Sequence, residues 1–197
     1  MSTIATADPA ATPAQLAALL ARWEPADARE REARACFADA LERLSAPFDR
    51  RAGPVHVTAS AIVVGSRGVV LHRHKRTGAW LQPGGHIDPG ESPAEAAARE
   101  SAEETGLDVA HPATPRLVHL DVHEVAPTGH VHLDLRYLLT APGHDPSPPP
   151  GESPVAAWFS WEAALDIADA GLAGALHRLR DDASDWLRAG PAPRATR

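Results

Sequence analysis

The sequence contains a single cysteine, Cys36, which rules out an intrachain disulfide and a cysteine-ligated zinc site. It also lacks an excess of positive charge, since 19 Lys and Arg face 26 Asp and Glu for a formal net charge of -7. That balance removes the general attraction behind binding to long nucleic acid or to an anionic membrane surface. An anionic substrate therefore needs a metal ion or a local basic cluster. No run approaches the roughly 18 apolar residues of a membrane span. Met1 is not followed by a basic segment and an apolar stretch of the secretory type, so a cytoplasmic location is expected. Aromatic residues make up only 5% of the chain, which leaves the core to Ala, Leu, Val and Ile.

What is present suits one globular domain with an extension: 197 residues, 44% of them hydrophobic, can bury a real core. Residues 1–13 are small and proline-containing and read as a disordered tail. Between 14 and 50, Leu16, Leu19, Leu20 and Trp23 form one apolar stripe, and Ala33, Phe37, Ala40, Leu41 and Leu44 form another. Pro25 separates them, which predicts an extension of two helices. Strand patterns begin near His56, with a hairpin turn at residues 65–68 and a partner at Val69–Lys75. Alternating strands are expected at Arg116–Val125 and His130–Thr140, and a short one at Val155–Trp161. Leu165–Leu187 reads as a helix and 189–197 as a loose tail. Strands around one central helix, with helices at both ends, argue for an α/β or α+β architecture.

Trp80–Leu107 is the informative stretch. Pro83–Gly84–Gly85 and Pro89–Gly90 are breakers, which predicts loop from Leu81 to Gly90. Ser92 suits an N-cap, Pro93 the first helical position, Glu95 a capping box and Gly106 the residue past the end. On that helix Ala94, Ala97, Ala98, Ser101 and Thr105 form a small-residue packed face. Glu100, Glu103 and Glu104 crowd together on the other side. Three adjacent carboxylates repel one another, and a hard divalent cation relieves the conflict. The glycines ahead can bring backbone groups to the same ion and to a phosphate.

The spacing Gly85-x5-Glu91-x7-Arg99-Glu100-x2-Glu103-Glu104-x-Gly106-Leu107 resembles the signature box of the Nudix hydrolases, the MutT-like family. One position departs: Ser101 stands where the box has a bulky aliphatic residue. The resemblance implies a Nudix domain within 54–188, an α/β/α sandwich with a mixed central sheet, joined to the N-terminal helical extension. It also implies hydrolysis of a nucleoside diphosphate linked to another moiety, water attacking phosphorus with Mg²⁺ or Mn²⁺ as cofactor. By motif position Glu100 and Glu104 would be the main metal ligands, with Glu103, directly or through water, and the carbonyl of Gly85 or Gly84 as further ones. Arg99 would orient a glutamate, and Glu91 would brace the loop or the same arginine. The general base is open between Glu100 and Glu152, which lies in the loop before the late strand.

Candidate substrate contacts surround the box, each with a plainer alternative. His86 sits in the glycine-rich loop, and His132 shares a strand face with His130 and Asp134. Arg73 and Lys75 could steer phosphate or simply end a hairpin, and Trp80 could stack on a base or pack. A histidine zinc site is weaker than glutamate chemistry on sequence grounds. Two other classes stay in view: a Nudix-fold module that senses a nucleotide without cleaving it, disfavoured because all three glutamates are present, and an isoprenoid diphosphate isomerase, disfavoured because Cys36 lies outside the box region. The expected partner is a small nucleotide-like diphosphate, with no long nucleic acid and no membrane. The N-terminal helices could cap the monomer or form a homodimer contact.

Overall fold

The computed structural model describes residues 8–125 and 127–189. Helices α1 (Pro13–Leu20) and α2 (Ala28–Arg43) come first, followed by strands β1 (Val55–Gly65), β2 (Gly68–Arg73), β3 (Trp80–Leu81) and β4 (Gly84–His86). Helix α3 (Pro93–Thr105) precedes β5 (Leu117–Val125), β6 (His130–Thr140), β7 (Ala156–Phe159), α4 (Trp161–Ile167) and α5 (Ala170–Ala189). Among the described residues, no helix is long and apolar enough to cross a membrane.

One mixed sheet organises the chain in the order β3-β2-β1-β6-β5, with β4 paired to β1 and β7 to β2. The β1–β6 pair is parallel and runs unbroken from Val55↔Val131 to Val64↔Thr140, while the other ladders are antiparallel. Alternation along β1 divides the core in two. Val57, Ala59, Ala61 and Val63 pack with α3 and with Leu16, Leu20 and Phe37 of the N-terminal helices. Ile62 and Val64 pack with Ala164, Leu172 and Leu176 of α4 and α5. Helices thus cover both faces, giving the α/β/α layering.

Helix α2 also shields the β5 edge, where an unpaired strand would invite association. Buried Glu30 accepts hydrogen bonds from the Leu120 amide at 3.1 Å, Trp23 Nε1 at 3.0 Å, the Ala26 amide at 2.6 Å and Arg178 at 2.8 Å. One carboxylate therefore ties α2 to an edge strand and to α5.

Three expectations need correction. Residues 8–12 are packed rather than part of a disordered tail, because buried Asp8 accepts from the Ala94 amide at 3.0 Å and from Tyr137 Oη at 3.1 Å. The free amides at the start of α3 attract that carboxylate. Residues 1–7 of the expected tail, and 190–197 of the expected loose C-terminus, lie outside the described residues. The 81–90 stretch is not all loop, since Gly84–His86 pairs with Thr58–Ser60. The C-terminal helix is two helices, because Asp169 accepts from the Leu172 amide at 2.8 Å and starts α5 afresh.

Candidate active site

Local chemistry fixes α3 at both ends. Ser92 and Glu95 form the reciprocal capping box, Pro93 opens the helix, and Gly106 closes it at φ 68°. A side chain at Gly106 would also strike the Ser147 backbone, where the proline-rich loop crosses the end of α3. Ala94, Ala96, Ala97, Ser101 and Thr105 are buried, and their small size lets the helix lie close on β1. Ser101 is fully buried, and its hydroxyl has no hydrogen-bond partner among the described residues.

That seating brings Glu100 and Glu104 onto the β4 strand, while Glu103 stays exposed. The Gly84 amide donates to Glu104 Oε2 at 2.9 Å. A Cβ at Gly85 would stand 2.6 Å from the Glu100 carboxylate, so only glycine leaves this space. Burial pushes the pKa of Glu100 above its ordinary value, even though Arg99 pulls the other way. Glu104 is pushed up to about 7, first by burial and then by Glu100 and Glu152, against the pull of the Gly84 amide. Its close neighbour His72 Nε2, at 3.6 Å, does not supply a cation, because burial lowers that imidazole to about 4. Glu104 is thus a half-buried carboxylate that, among the described residues, has no Lys or Arg paired directly with it and feels Lys75 only from a distance.

Arg99 holds the remaining acids in place. Its Nε and Nη2 each meet Glu91 at 2.9 Å, its Nη1 reaches Glu100 at 2.9 Å and Glu103 at 3.2 Å, and its Nη2 also donates to the His86 carbonyl at 2.9 Å. Burial works against the charge on Glu91, but hydrogen bonds from Arg99 and the Asp88 amide outweigh it and lower its pKa. Those acids raise the pKa of Arg99 in turn. One guanidinium thereby orients Glu91, Glu100 and Glu103 and fastens α3 to β4.

The proline-rich loop delivers Glu152. Its course is pinned by the Ser147 amide on the Thr105 carbonyl at 2.9 Å, by Trp158 Nε1 on the His144 carbonyl at 2.8 Å and by Ser153 Oγ on the Arg73 carbonyl at 2.5 Å. Glu152 then lies 3.5 Å from Lys75 Nζ, and both charges are felt at Glu104. Lys75 also donates to the Gly151 carbonyl.

The structure separates several other candidates from this cluster. Arg73 is exposed and donates to the Gly78 carbonyl at 3.1 Å, which folds the hairpin end upon itself. Trp80 meets Phe159 edge-on at 4.8 Å between ring centroids and, partly buried, packs on the α4–α5 side, the packing role that the sequence left open for it. His86 and His132 approach each other at 5.2 Å. Because Gly85 faces α3, alternation places the His86 side chain on the far face of the sheet. The sequence reading missed His72 as a neighbour of Glu104, and it also missed His56, which the parallel register aligns with His132. His72 stands two residues from His74 on one strand face, a pattern that marks a histidine pair but not its carboxylate neighbour, and His56 alone at the start of an apolar strand carries no local signal.

The acidic groups suit a hard divalent cation. Carboxylate and backbone oxygens are the donors Mg²⁺ and Mn²⁺ prefer, and the raised Glu104 leaves a charge deficit for an ion to fill.

Comparison with known proteins agrees with this geometry. The NUDIX domain pattern matches residues 54–179. A NUDIX-family hydrolase from Clostridium perfringens is similar at 33% identity and a TM-score of 0.54, over 64% of this chain and 96% of that one. A MutT NUDIX hydrolase from Burkholderia pseudomallei is similar at 25% identity and a TM-score of 0.52, over 62% and 96%. A Bacillus subtilis (strain 168) protein provisionally named 8-oxo-dGTP diphosphatase is 49% identical over 45 residues, which are 23% of this chain and 30% of that protein. The matched part of the chain spans 19% and 30% of the lengths of two of the curated relatives it matches.

Proposed function

The chain belongs to the Nudix hydrolase family, and from that premise we propose that it cleaves the diphosphate linkage of a small nucleoside-diphosphate-type molecule with a divalent metal ion. The observation that carries this reading is the convergence of Glu100 and Glu104 on Gly84–Gly85, with no Lys or Arg paired directly with Glu104 among the described residues. Glu100, Glu104 and the Gly85 carbonyl would hold Mg²⁺ or Mn²⁺, with Glu103 as an outer member of the set. A bound ion of this kind neutralises diphosphate oxygens and acidifies water.

The chain's own residues supply the rest. Arg99 orients Glu100 and Glu103 by charge-assisted hydrogen bonds, and Glu91 fixes Arg99 in the plane that reaches them. Glu152 is the proton acceptor we favour over Glu100, because Glu100 is already engaged by Arg99, whereas Glu152 meets only the flexible cation of Lys75. Lys75, at the mouth of the same loop, would draw in the phosphate chain. Water attack on phosphorus is tested with any substrate the protein turns over in ¹⁸O-enriched water. The label is expected in a phosphorus-containing product, and label found only elsewhere would rule out attack at phosphorus.

Metal binding should depend on pH through Glu104. Its carboxyl is protonated below about 7 in the metal-free protein, and an ion must displace that proton. Apparent Mg²⁺ affinity is therefore expected to rise roughly tenfold per pH unit below that point and to level off above it. Stability has the opposite sign without metal, because a raised carboxyl pKa means the fold weakens as pH climbs toward 7 and the proton leaves. Calorimetric Mg²⁺ titrations at about pH 6 and about pH 8 check the first effect. Equal affinities would place Glu104 outside the ligand set.

A further inference from the structure

A second cluster of chemistry lies on the sheet face away from Glu100 and Glu104. His56, His86 and His132 form a triangle with ring centroids 5.2, 4.9 and 5.2 Å apart. His130 stands 5.5 Å from His56, and His123 stands 5.4 Å from His132. The register explains the gathering. The parallel β1–β6 ladder pairs His56 with His132, and the β1–β4 ladder pairs Thr58 with His86, so the three rings emerge on one face at one end of the sheet.

The central ring is poised as a ligand. His56 is fully buried, and its Nδ1 lies 3.3 Å from the Gly53 carbonyl, where it can only donate. Its Nε2 then carries the free lone pair, and that atom is buried with no hydrogen-bond partner among the described residues. A buried acceptor left unpaired is costly, so its persistence calls for an occupant. An imidazole whose other nitrogen is fixed on a backbone carbonyl is also the usual arrangement of a metal-binding histidine. Each of the three residues offers one ring nitrogen, and these three atoms lie within 4.8 Å of one another.

We propose that His56, His86 and His132 form a binding site for a Zn²⁺-class transition-metal ion, separate from the hard-cation site at the glutamates. Tetrahedral zinc with bonds of about 2.0–2.1 Å needs its nitrogens roughly 3.3 Å apart, a contraction that rotation of the half-buried His86 and His132 side chains supplies. Nitrogen-only donors select borderline ions such as Zn²⁺ over Mg²⁺. Arg50 Nη1 stands 3.3 Å from His86 Nδ1, and this exposed side chain turns out to solvent when an ion enters. Three protein ligands leave the fourth position for water or an anionic oxygen of a ligand.

The test uses the full chain and Zn²⁺ alone by calorimetry, with Co²⁺ absorption as a report of tetrahedral nitrogen ligation. Glu100→Gln/Glu104→Gln silences the carboxylate site, and a single equivalent of Zn²⁺ is expected to bind in that background as in the wild type. In the same background His86→Asn or His132→Asn should weaken binding by at least the roughly hundredfold that even outer-shell changes can cost. His130→Asn should leave it unchanged. These half-buried positions carry the test, because a change at buried His56 also risks the fold. Absence of Zn²⁺ binding, loss of binding with the glutamates alone, survival in both histidine variants, or equal weakening by His130→Asn would each overturn the assignment.

Discussion

Glu104→Gln is expected to lower turnover by at least about a thousandfold while leaving the chain folded, and Glu100→Gln should do the same. The amide keeps the size of the side chain, and its oxygen can still accept from the Gly84 amide. What it loses is the charge that an ion needs. In the metal-free protein the change mimics the protonated form that burial already favours, so stability near neutral pH should hold or rise. Steady-state rates beside circular dichroism separate the two effects. Wild-type turnover in either variant would remove that carboxylate from the metal site.

Glu30→Ala should destabilise the fold by about 3–5 kcal/mol, the range for breaking a buried charge pair. The carboxylate is fully buried and serves Trp23, Ala26, Leu120 and Arg178 at once. Alanine would leave two backbone amides and an indole N–H without partners and Arg178 facing an apolar gap. A loss of this size is a large share of the total stability of a domain. Urea unfolding measures it. A cost below about 1 kcal/mol would show that these donors find replacements without a folded-state penalty.

How much of this was readable beforehand depended on range. Ser92, Pro93, Glu95 and Gly106 act within a few residues of one another, so the limits of α3 followed from local chemistry and match the structure. The β6 limits did too, because His130–Thr140 alternates between two turn signals. What stayed hidden arises between distant segments. Asp8 finds the start of α3 across 86 positions, and nothing in a small, proline-containing stretch announces that. Three-residue β4 looks like loop because glycines favour no strand, yet glycine at 84 and 85 is what lets the chain approach Ser60 and Glu100. The site divides likewise. Spacing along one helix exposed Glu100, Glu103 and Glu104, whereas the meeting of His56, His86 and His132 required the registers of three strands. For Trp80 and Arg73 the sequence left packing and hairpin-end roles beside substrate contact, because adjacency to the box does not say which face of a strand a residue occupies.

The most direct test of the central claim is release of phosphate or nucleoside monophosphate from a panel of nucleoside triphosphates, oxidised nucleotides, ADP-ribose, sugar nucleotides and dinucleoside polyphosphates. Each compound is assayed with Mg²⁺, with Mn²⁺ and with chelator. The account predicts release from at least one compound class that depends on the metal and ceases with chelator. Silence across the panel, together with tight metal-dependent binding of a nucleotide, would contradict it and identify a sensor in place of a hydrolase.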